Sequence, residues 1–348
     1  MASHLLYLFL ILNSFFILSA STATNTTVTQ EKTCPFESIY QFGDSISDVG
    51  NLIRKGPSGA KSYAARLPYR EAFLHGPTGR CSNGLLMIDY IAMALHLPLL
   101  NPYLQPFVPK DHGVNFAVAG STALNSSFFM ARGIHIVKRG FKGLLCLLGR
   151  LEATTTTMLF FQGKPVEEIS TYVPHVVRTT TNAVEEVIRE GAIRVVVSGN
   201  FPVGCIPIYL TSFPNSDPNA YDDLKCLKDL NKFAQFHNNH LKRALEKLRQ
   251  KYPHVVILYA DYYAAFQSVL RRAPRLGFDK SSLNKACCGI GGQYNYDGSR
   301  MCGHAGVPVC PNPKQHIHWD GVHLTQEAYR HMSEWLLHEI LSKIKCVW

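Results

Sequence analysis

Four short apolar segments set the pattern of the chain. Residues 38–42, 114–119, 194–198 and 255–260 are rich in β-branched or aromatic side chains, and each is only a few residues long. Runs of this length and composition are typical of strands that are buried in a sheet. The pattern therefore predicts four strands that are well separated along the chain.

Helical periodicity fills the intervals between these strands. It is clearest in residues 222–251, where apolar side chains recur on one face until Pro253 ends the helix. Two further helices are predicted, over about residues 176–190 and over residues 325–344. Alternation of strand and helix indicates an α/β fold with a mainly parallel sheet. In such sheets ligands bind beyond the carboxyl ends of the strands.

The N-terminus departs from this pattern. Residues 5–18 are almost wholly apolar and small residues follow them, which is typical of a signal peptide. We interpret residues 1–23 as a signal peptide that is cleaved within about residues 20–24, and we expect a secreted, extracellular protein. An uncleaved membrane anchor is the alternative. No later segment holds the ~18 uninterrupted apolar residues that a transmembrane helix needs, so we expect none in the mature chain.

Secretion changes the meaning of the cysteines and of two sequons. All ten cysteines follow the signal segment, and an even set in an oxidising compartment favours disulfides. N-glycosylation sequons begin at Asn25 and Asn125. A metal site is the alternative for one cysteine cluster, whose spacing matches no usual zinc motif, so we expect no metal. The cluster comprises Cys287, Cys288, Cys302 and Cys310.

The charge of the chain bears on its partners. The formal net charge is +10, and the signal segment contains no charged side chain that would change it on cleavage. A basic secreted protein is attracted to polyanions such as acidic polysaccharide or anionic lipid surfaces. A solvated basic surface without a partner is the alternative. No nucleic-acid-binding motif accompanies the charge, so we expect no nucleic-acid partner.

Candidate chemistry lies at both ends of the predicted domain. The first strand leads directly into Ser45, at a position where a helix is expected to begin and where a serine could act only as a helix N-cap. Near the other end, Asp320 precedes His323 by three residues. A serine hydroxyl becomes nucleophilic when a base takes its proton and an acid orients that base. The combination predicts Ser45 as nucleophile, His323 as base and Asp320 as its partner.

Gly120 is a further candidate because it follows the second predicted strand. The backbone N–H of a glycine can approach a substrate with no side chain in the way, as an oxyanion hole requires. An ordinary turn glycine is the alternative. The Gly-x-Ser-x-Gly elbow of the α/β-hydrolases occurs nowhere in the chain. Serine chemistry here therefore needs another arrangement of residues.

At these motifs the chain resembles the plant GDSL esterase/lipase family, a branch of the SGNH hydrolases. The matching motifs are residues 42–51, 115–124 and 320–323, and the likeness extends over nearly all of residues 34–346. The resemblance implies a flavodoxin-like three-layer αβα sandwich with a mainly parallel central sheet. It also implies a single domain over residues 34–346.

The resemblance further implies a function. A family member of this kind hydrolyses carboxylic esters of lipids or small plant metabolites without a metal or other cofactor. Ser45, His323 and Asp320 would act as the triad, and the N–H groups of Ser45 and Gly120 would bind the oxyanion. Such a secreted plant protein would reside in the cell wall or apoplast, where acidic polysaccharide is present.

One residue that the resemblance implies is missing. The family completes its oxyanion hole with an asparagine, which would fall at about Thr154, within the shortened and atypical segment 134–158. Three explanations stay open: a real deletion, a threonine that serves as substitute donor, or a gene-model artefact. Loss of one oxyanion donor typically lowers turnover by about 10²–10³-fold. Thr154 is accordingly a candidate replacement for the asparagine.

Two other functions stay open beside ester hydrolysis. The chain could be a weakened or inactive member of the fold that binds an acyl or glycan ligand. It could also be an acyltransferase, because water and an alcohol attack the same acyl-enzyme.

Asn200 follows the third predicted strand on the same edge of the sheet. It either lines the pocket or shapes the turn before Pro202.

Overall fold

The computed structural model describes residues 36–69, 71, 78–123, 159–341 and 343. These residues belong to one compact unit, Pro35–Trp348. Several predicted features lie outside the described residues and stay predictions. They are the signal segment 1–23, the sequons at Asn25 and Asn125, the atypical segment 134–158 and Thr154 within it.

The described strands form two parallel pairs. β1 (Ile39–Gln41) pairs with β2 (Gly113–Asn115), and β3 (Arg194–Ser198) pairs with β4 (Val256–Ala260). Parallel neighbours require a long crossover between them, and helices occupy such crossovers in this class of fold. The pairings therefore agree with the α/β architecture expected from the alternation of strand and helix.

The strand bounds differ from the predicted ones mainly in β2. β3 has the predicted bounds, and β1 and β4 are shorter at their ends by one or two residues. The predicted strand 114–119 ends as a strand at Asn115. Beyond that point side-chain oxygens accept hydrogen bonds from alternate backbone N–H groups. Asn115 accepts from Ala117 at 3.0 Å, and Asp48 accepts from Ala119 at 2.8 Å. With these bonds the chain leaves the strand and enters the loop that carries Gly120.

The described helices alternate with these strands. The helix predicted over residues 222–251 begins six residues later, at Lys228, because Asp222 accepts the N–H groups of Leu224 and Cys226 and so closes a turn in front of it. The helix predicted over about residues 176–190 begins ten residues earlier, at Val166, and contains Pro174. The helices are α1 (Gly56–Ala60), α2 (Met87–Ala94), α3 (Val166–Arg189), α4 (Pro207–Ser212), α5 (Lys228–Lys251), α6 (Tyr262–Arg272) and α7 (Gln326–Leu341).

The apolar faces of α3 and α5 build the largest part of the core. Val173 and Val184 of α3 and Leu241 and Leu245 of α5 are each at most 1% exposed, and α3 packs against α5 while α5 packs against β4. Complete burial of one such side chain stabilises the fold by about 1.5–3 kcal/mol. Within the described ranges, no helix combines the length and the apolar character needed to cross a bilayer.

Among the seven cysteines that the structure describes, six are joined in disulfides. They are Cys205–Cys226, Cys287–Cys310 and Cys288–Cys302. The expectation of disulfides is confirmed for these residues, and the four clustered cysteines are paired with one another rather than available as thiolate ligands. Cys81 is a buried free thiol. Cys34, Cys146 and Cys346 lie outside the described residues.

Candidate active site

Ser45 lies in a tight turn directly after β1. The carbonyl oxygen of Asp44 accepts the N–H groups of Ser47 at 3.1 Å and Asp48 at 3.0 Å, and the Asp44 side chain accepts the N–H of Ile46. The turn does not continue into an α-helix, so the expectation that a helix begins at Ser45 is wrong. Ser45 remains partly exposed.

Asp320 and His323 lie on the loop that precedes α7. His323 Nδ1 is 2.7 Å from Asp320 Oδ2, and His323 Nε2 is 2.8 Å from Ser45 Oγ. A carboxylate only accepts hydrogen bonds, so the proton of the neutral imidazole lies on Nδ1. Nε2 is then the free acceptor that faces the serine hydroxyl. The structure thus brings together the three residues that the sequence singled out.

The environment of Asp320 keeps its carboxyl group ionised. The side chain is 1% exposed, and Oδ1 accepts the N–H groups of Val322 at 2.9 Å and His323 at 2.7 Å. Burial on its own would raise the pKa of Asp320, but the charge of His323 and these hydrogen bonds outweigh it and lower the pKa to about 2. A negative charge therefore stands behind the imidazole at neutral pH.

Gly120 lies beside the Ser45 turn. The N–H of Val118 donates to the carbonyl of Gly43 at 3.0 Å. Ser45 lies two residues after Gly43 and Gly120 lies two residues after Val118, so this bond holds the two segments side by side. Gly120 is exposed, with φ at +83°, and a Cβ there would meet nothing within 4 Å. Among the described residues, no acceptor contacts the backbone N–H of Ser45 or Gly120. Both groups can accordingly donate to a ligand.

Asp48 is a structural residue of the site that the sequence analysis missed. Its carboxylate is fully buried and accepts four N–H groups, those of Gly50, Asn51, Leu52 and Ala119, at 2.6–3.0 Å. Burial raises the pKa of Asp48, while these hydrogen bonds act in the opposite direction. The bond to Ala119 ties the loop of Gly120 to the turn of Ser45. Its place in the motif over residues 42–51 is the signal that could have identified it.

Tyr69 is a second residue that the sequence analysis missed. Its side chain is 2% exposed, and its hydroxyl donates to Asp320 Oδ2 at 2.8 Å. Its ring packs edge-on against the buried Trp319 with centroids 6.1 Å apart. The two hydrogen-bonded residues are 251 positions apart in sequence, so no local pattern could have related them.

Tyr296 packs against the loop that carries Asp320 and His323. Gly321 has φ at +87°, and a Cβ at this position would collide with the Tyr296 ring. The ring therefore rests directly on the backbone between Asp320 and Val322. Tyr296 belongs to the loop that the Cys288–Cys302 disulfide closes, so this disulfide borders the loop that carries Asp320 and His323.

The structure favours a turn-shaping role for Asn200. Asn200 is 1% exposed, and its backbone N–H and C=O bond to the side chain of Asn238 at 2.7 and 3.0 Å. A cleft of about 560 Å³ lies elsewhere in the described residues, lined by Glu71, Asn83 and Lys314 among others, and Ser45 does not line it. Thr154 lies outside the described residues.

The α/β fold with parallel strands brings Ser45, His323 and Asp320 into one hydrogen-bonded series. The sequence pattern of the GDSL-like Lipase/Acylhydrolase family matches residues 39–336. The chain therefore belongs to the GDSL-like lipase/acylhydrolase family, which confirms the resemblance and the α/β fold class.

Relatives support the same class of activity. Acetylajmalan esterase of Rauvolfia serpentina is 46% identical, with 92% of this chain and 89% of the relative aligned. A GDSL esterase/lipase of Arabidopsis thaliana is 47% identical, with 90% of this chain and 92% of the relative aligned. The family and these relatives assign the chain to the carboxylic ester hydrolases.

Proposed function

We propose that the chain is a secreted serine esterase in which Ser45 attacks the ester carbonyl. The observation that carries the proposal is the contact of Ser45 Oγ with His323 Nε2 at 2.8 Å, with Asp320 bound to the opposite ring nitrogen at 2.7 Å. This is the arrangement in which an imidazole removes a serine proton while a buried carboxylate stabilises the imidazolium that forms.

The chemistry proceeds in two halves. Ser45 Oγ bonds to the acyl carbon as its proton passes to His323 Nε2, and the N–H groups of Ser45 and Gly120 stabilise the oxyanion. Collapse breaks the ester bond, and the leaving alkoxide takes the proton from His323. Water then attacks the acyl-enzyme, gives its proton to His323 and releases the acid, after which the proton returns to Ser45.

The relatives support a substrate class. Three of the similar proteins carry the name acetylajmalan esterase, so we propose an acyl ester of a small plant metabolite as substrate, with lipid esters as the alternative. We further propose that residues 1–23 direct the chain to the cell exterior, where its charge of +10 favours acidic cell-wall polysaccharide. Thr154 is the proposed third oxyanion donor, in place of the asparagine that the family uses.

The decisive test replaces the nucleophile. Ser45→Ala should lower turnover of p-nitrophenyl acetate at least about a thousandfold, because the acyl-enzyme cannot form. It should also abolish labelling by a fluorophosphonate probe. Ser47→Ala is the matched control: Ser47 lies in the same turn, and its side chain is buried. Wild-type turnover by Ser45→Ala would overturn the proposal.

The atypical segment 134–158 favours one rival, a ligand-binding protein without turnover. In that case the wild-type chain would be secreted and folded but would not react with the fluorophosphonate at Ser45. An intact mass spectrum after incubation with the probe distinguishes the two. One added phosphonyl group that is absent in Ser45→Ala supports the esterase.

A further inference from the structure

The acid of the proposed triad has an unusual second donor. Asp320 Oδ2 is 2.7 Å from His323 Nδ1 and 2.8 Å from the Tyr69 hydroxyl. One carboxylate oxygen is thus shared between the imidazole and a phenol, while Oδ1 is occupied by two backbone N–H groups. All the donors that fix this carboxylate are buried or nearly so.

Tyr69 is held firmly in this position. It is 2% exposed, and it belongs to a small apolar cluster with Trp319 and the buried cysteines of two disulfides. Burial and the neighbouring Asp320 raise the pKa of Tyr69 well above its usual value. The phenol therefore stays protonated and can only donate to the carboxylate, at any pH at which the enzyme would work.

Other titratable groups also face this carboxylate, but their relation to it differs. Among the described residues, Tyr69 and His323 are the side chains that bond to Asp320. The other groups interact electrostatically with Asp320 or with Tyr69, and two of them interact electrostatically with the neighbouring Cys81. They are Tyr63, Cys81, Tyr296, His318 and, near Cys81, Asp44 and Asp48.

We propose that Tyr69 is a positioning residue that sets how strongly Asp320 holds His323. Its hydroxyl fixes the plane of the carboxylate, and it draws negative charge on Oδ2 away from the imidazole. The inference rests on the proposed function, because it concerns the strength of the base in that triad. Tyr69 lies behind the acid, on the far side from Ser45 in the hydrogen-bonded series, and so acts through Asp320.

Removal of the hydroxyl should leave a distinct kinetic signature. In Tyr69→Phe the ring packing is kept, but the charge on Oδ2 is no longer shared, so the imidazole holds its proton more tightly. We expect the acid limb of the kcat/KM profile to move to higher pH by about half a unit. We expect kcat to fall about tenfold as the carboxylate loses its fixed plane, with KM unchanged within about twofold.

A stronger donor at the same position should act in the opposite direction. 3,5-Difluorotyrosine at position 69 keeps the hydroxyl and the ring but has a more acidic phenol, which donates a stronger hydrogen bond to a carboxylate. The acid limb should then move to lower pH. This substitution keeps the proposal testable even where Tyr69→Phe fails to fold, because it removes no contact.

Tyr172 provides a matched control. Its hydroxyl donates to the carboxylate of Glu168 at 3.0 Å, within α3, and its side chain is 8% exposed. Tyr172→Phe therefore removes a phenol–carboxylate bond of the same kind away from the triad. We expect its pH profile and its kcat to match those of the wild type.

The outcomes separate the inference from the function on which it rests. Tyr69→Phe with a wild-type acid limb and kcat, or difluorotyrosine that leaves the limb in place, would overturn the role of Tyr69. If Ser45→Ala keeps full turnover, the proposed triad itself is wrong. A merely structural role for Tyr69 predicts a lower melting temperature with an unmoved acid limb, and that result also contradicts the proposal.

Discussion

At the scale of single residues, backbone conformation governs the proposed oxyanion site. The N–H of Ala119 is fixed by Asp48 at 2.8 Å, and the chain then enters a positive φ of +83° at Gly120. A residue with a side chain adopts this conformation at a cost of about 1–2 kcal/mol. Glycine is therefore needed here for its conformation and not for lack of space, since the surroundings of Gly120 are open.

Gly120→Ala should separate conformation from activity. The strain of the new side chain at positive φ shifts the N–H of residue 120 away from the oxyanion, so we expect kcat to fall about tenfold to a hundredfold. Stability should fall by about 1–2 kcal/mol in a urea titration. KM with p-nitrophenyl acetate should change little, because the N–H acts on charge that develops in the transition state.

Gly277→Ala is the matched control for this experiment. Gly277 follows the 3₁₀ segment Ala273–Leu276, has φ at +89° and also has open space around its Cα. The same strain should lower its stability by about the same amount and leave kcat unchanged. Equal kcat values for Gly120→Ala and the wild type would remove Gly120 from the mechanism.

At the scale of elements, a disulfide-closed loop supports the loop that carries Asp320 and His323. Cys288–Cys302 closes a span of 14 residues, and Tyr296 within that span rests on the backbone of Gly321. Cys287–Cys310 lies directly beside it and closes a span of 23 residues. The backbone next to Asp320 thus packs against the loop that this disulfide closes.

The double variant Cys288→Ala/Cys302→Ala should lose both stability and turnover. Loss of a cross-link over a span of this size costs about 3 kcal/mol through the entropy of the unfolded chain, measurable as a lower urea midpoint. Freed movement of Tyr296 should also lower kcat severalfold below the wild type at temperatures where the variant is fully folded.

The disulfide Cys205–Cys226 offers the comparison. It closes 21 residues between β3 and α5, and its removal should reduce stability by about the same 3 kcal/mol. Its sulfurs belong to the main core rather than to the cluster around Trp319. If both double variants lose the same fraction of kcat, the loop of Tyr296 has no special role.

At the scale of the whole molecule, buried histidines make stability depend on pH. His237 and His318 are fully buried, and burial lowers their pKa values from 6.5 to about 4 and about 3. Below pH 6.5 the unfolded chain binds protons at both positions and the folded chain does not. The contribution of these two histidines to stability is therefore complete above about pH 6.5 and is lost progressively as the pH falls through about 4 and about 3.

Urea titrations across this window check the prediction. Two extra protons on the unfolded chain correspond to a slope of about 2.7 kcal/mol per pH unit once both histidines titrate. His237→Leu should halve the contribution of the pair to that slope. His240→Gln, at a partly exposed histidine one turn further along α5, should leave the slope unchanged. An unaltered slope in His237→Leu would show that His237 is not the group responsible.

Local pattern accounts for much of the fold and marks the limits of prediction. The bounds of β3 and the end of α5 at Lys251 were predicted from sequence, because hydrophobic periodicity records which face of a segment is buried. The start of α5 was wrong because Asp222 closes a turn in front of it. The predicted start of α3 was wrong because the helix, which buries an apolar face, continues through Pro174.

The sequence by itself determined the alternation of strand and helix, the family motifs and the candidates Ser45, Gly120, Asp320 and His323. Each of these depends on residues close together in the chain. The tertiary structure alone decided the contacts across the chain: Ser45 meets His323 over 278 positions, and Tyr69 meets Asp320 over 251. Such contacts depend on the path of the whole backbone, because the hydrogen bonds that select them form only once distant segments have packed together.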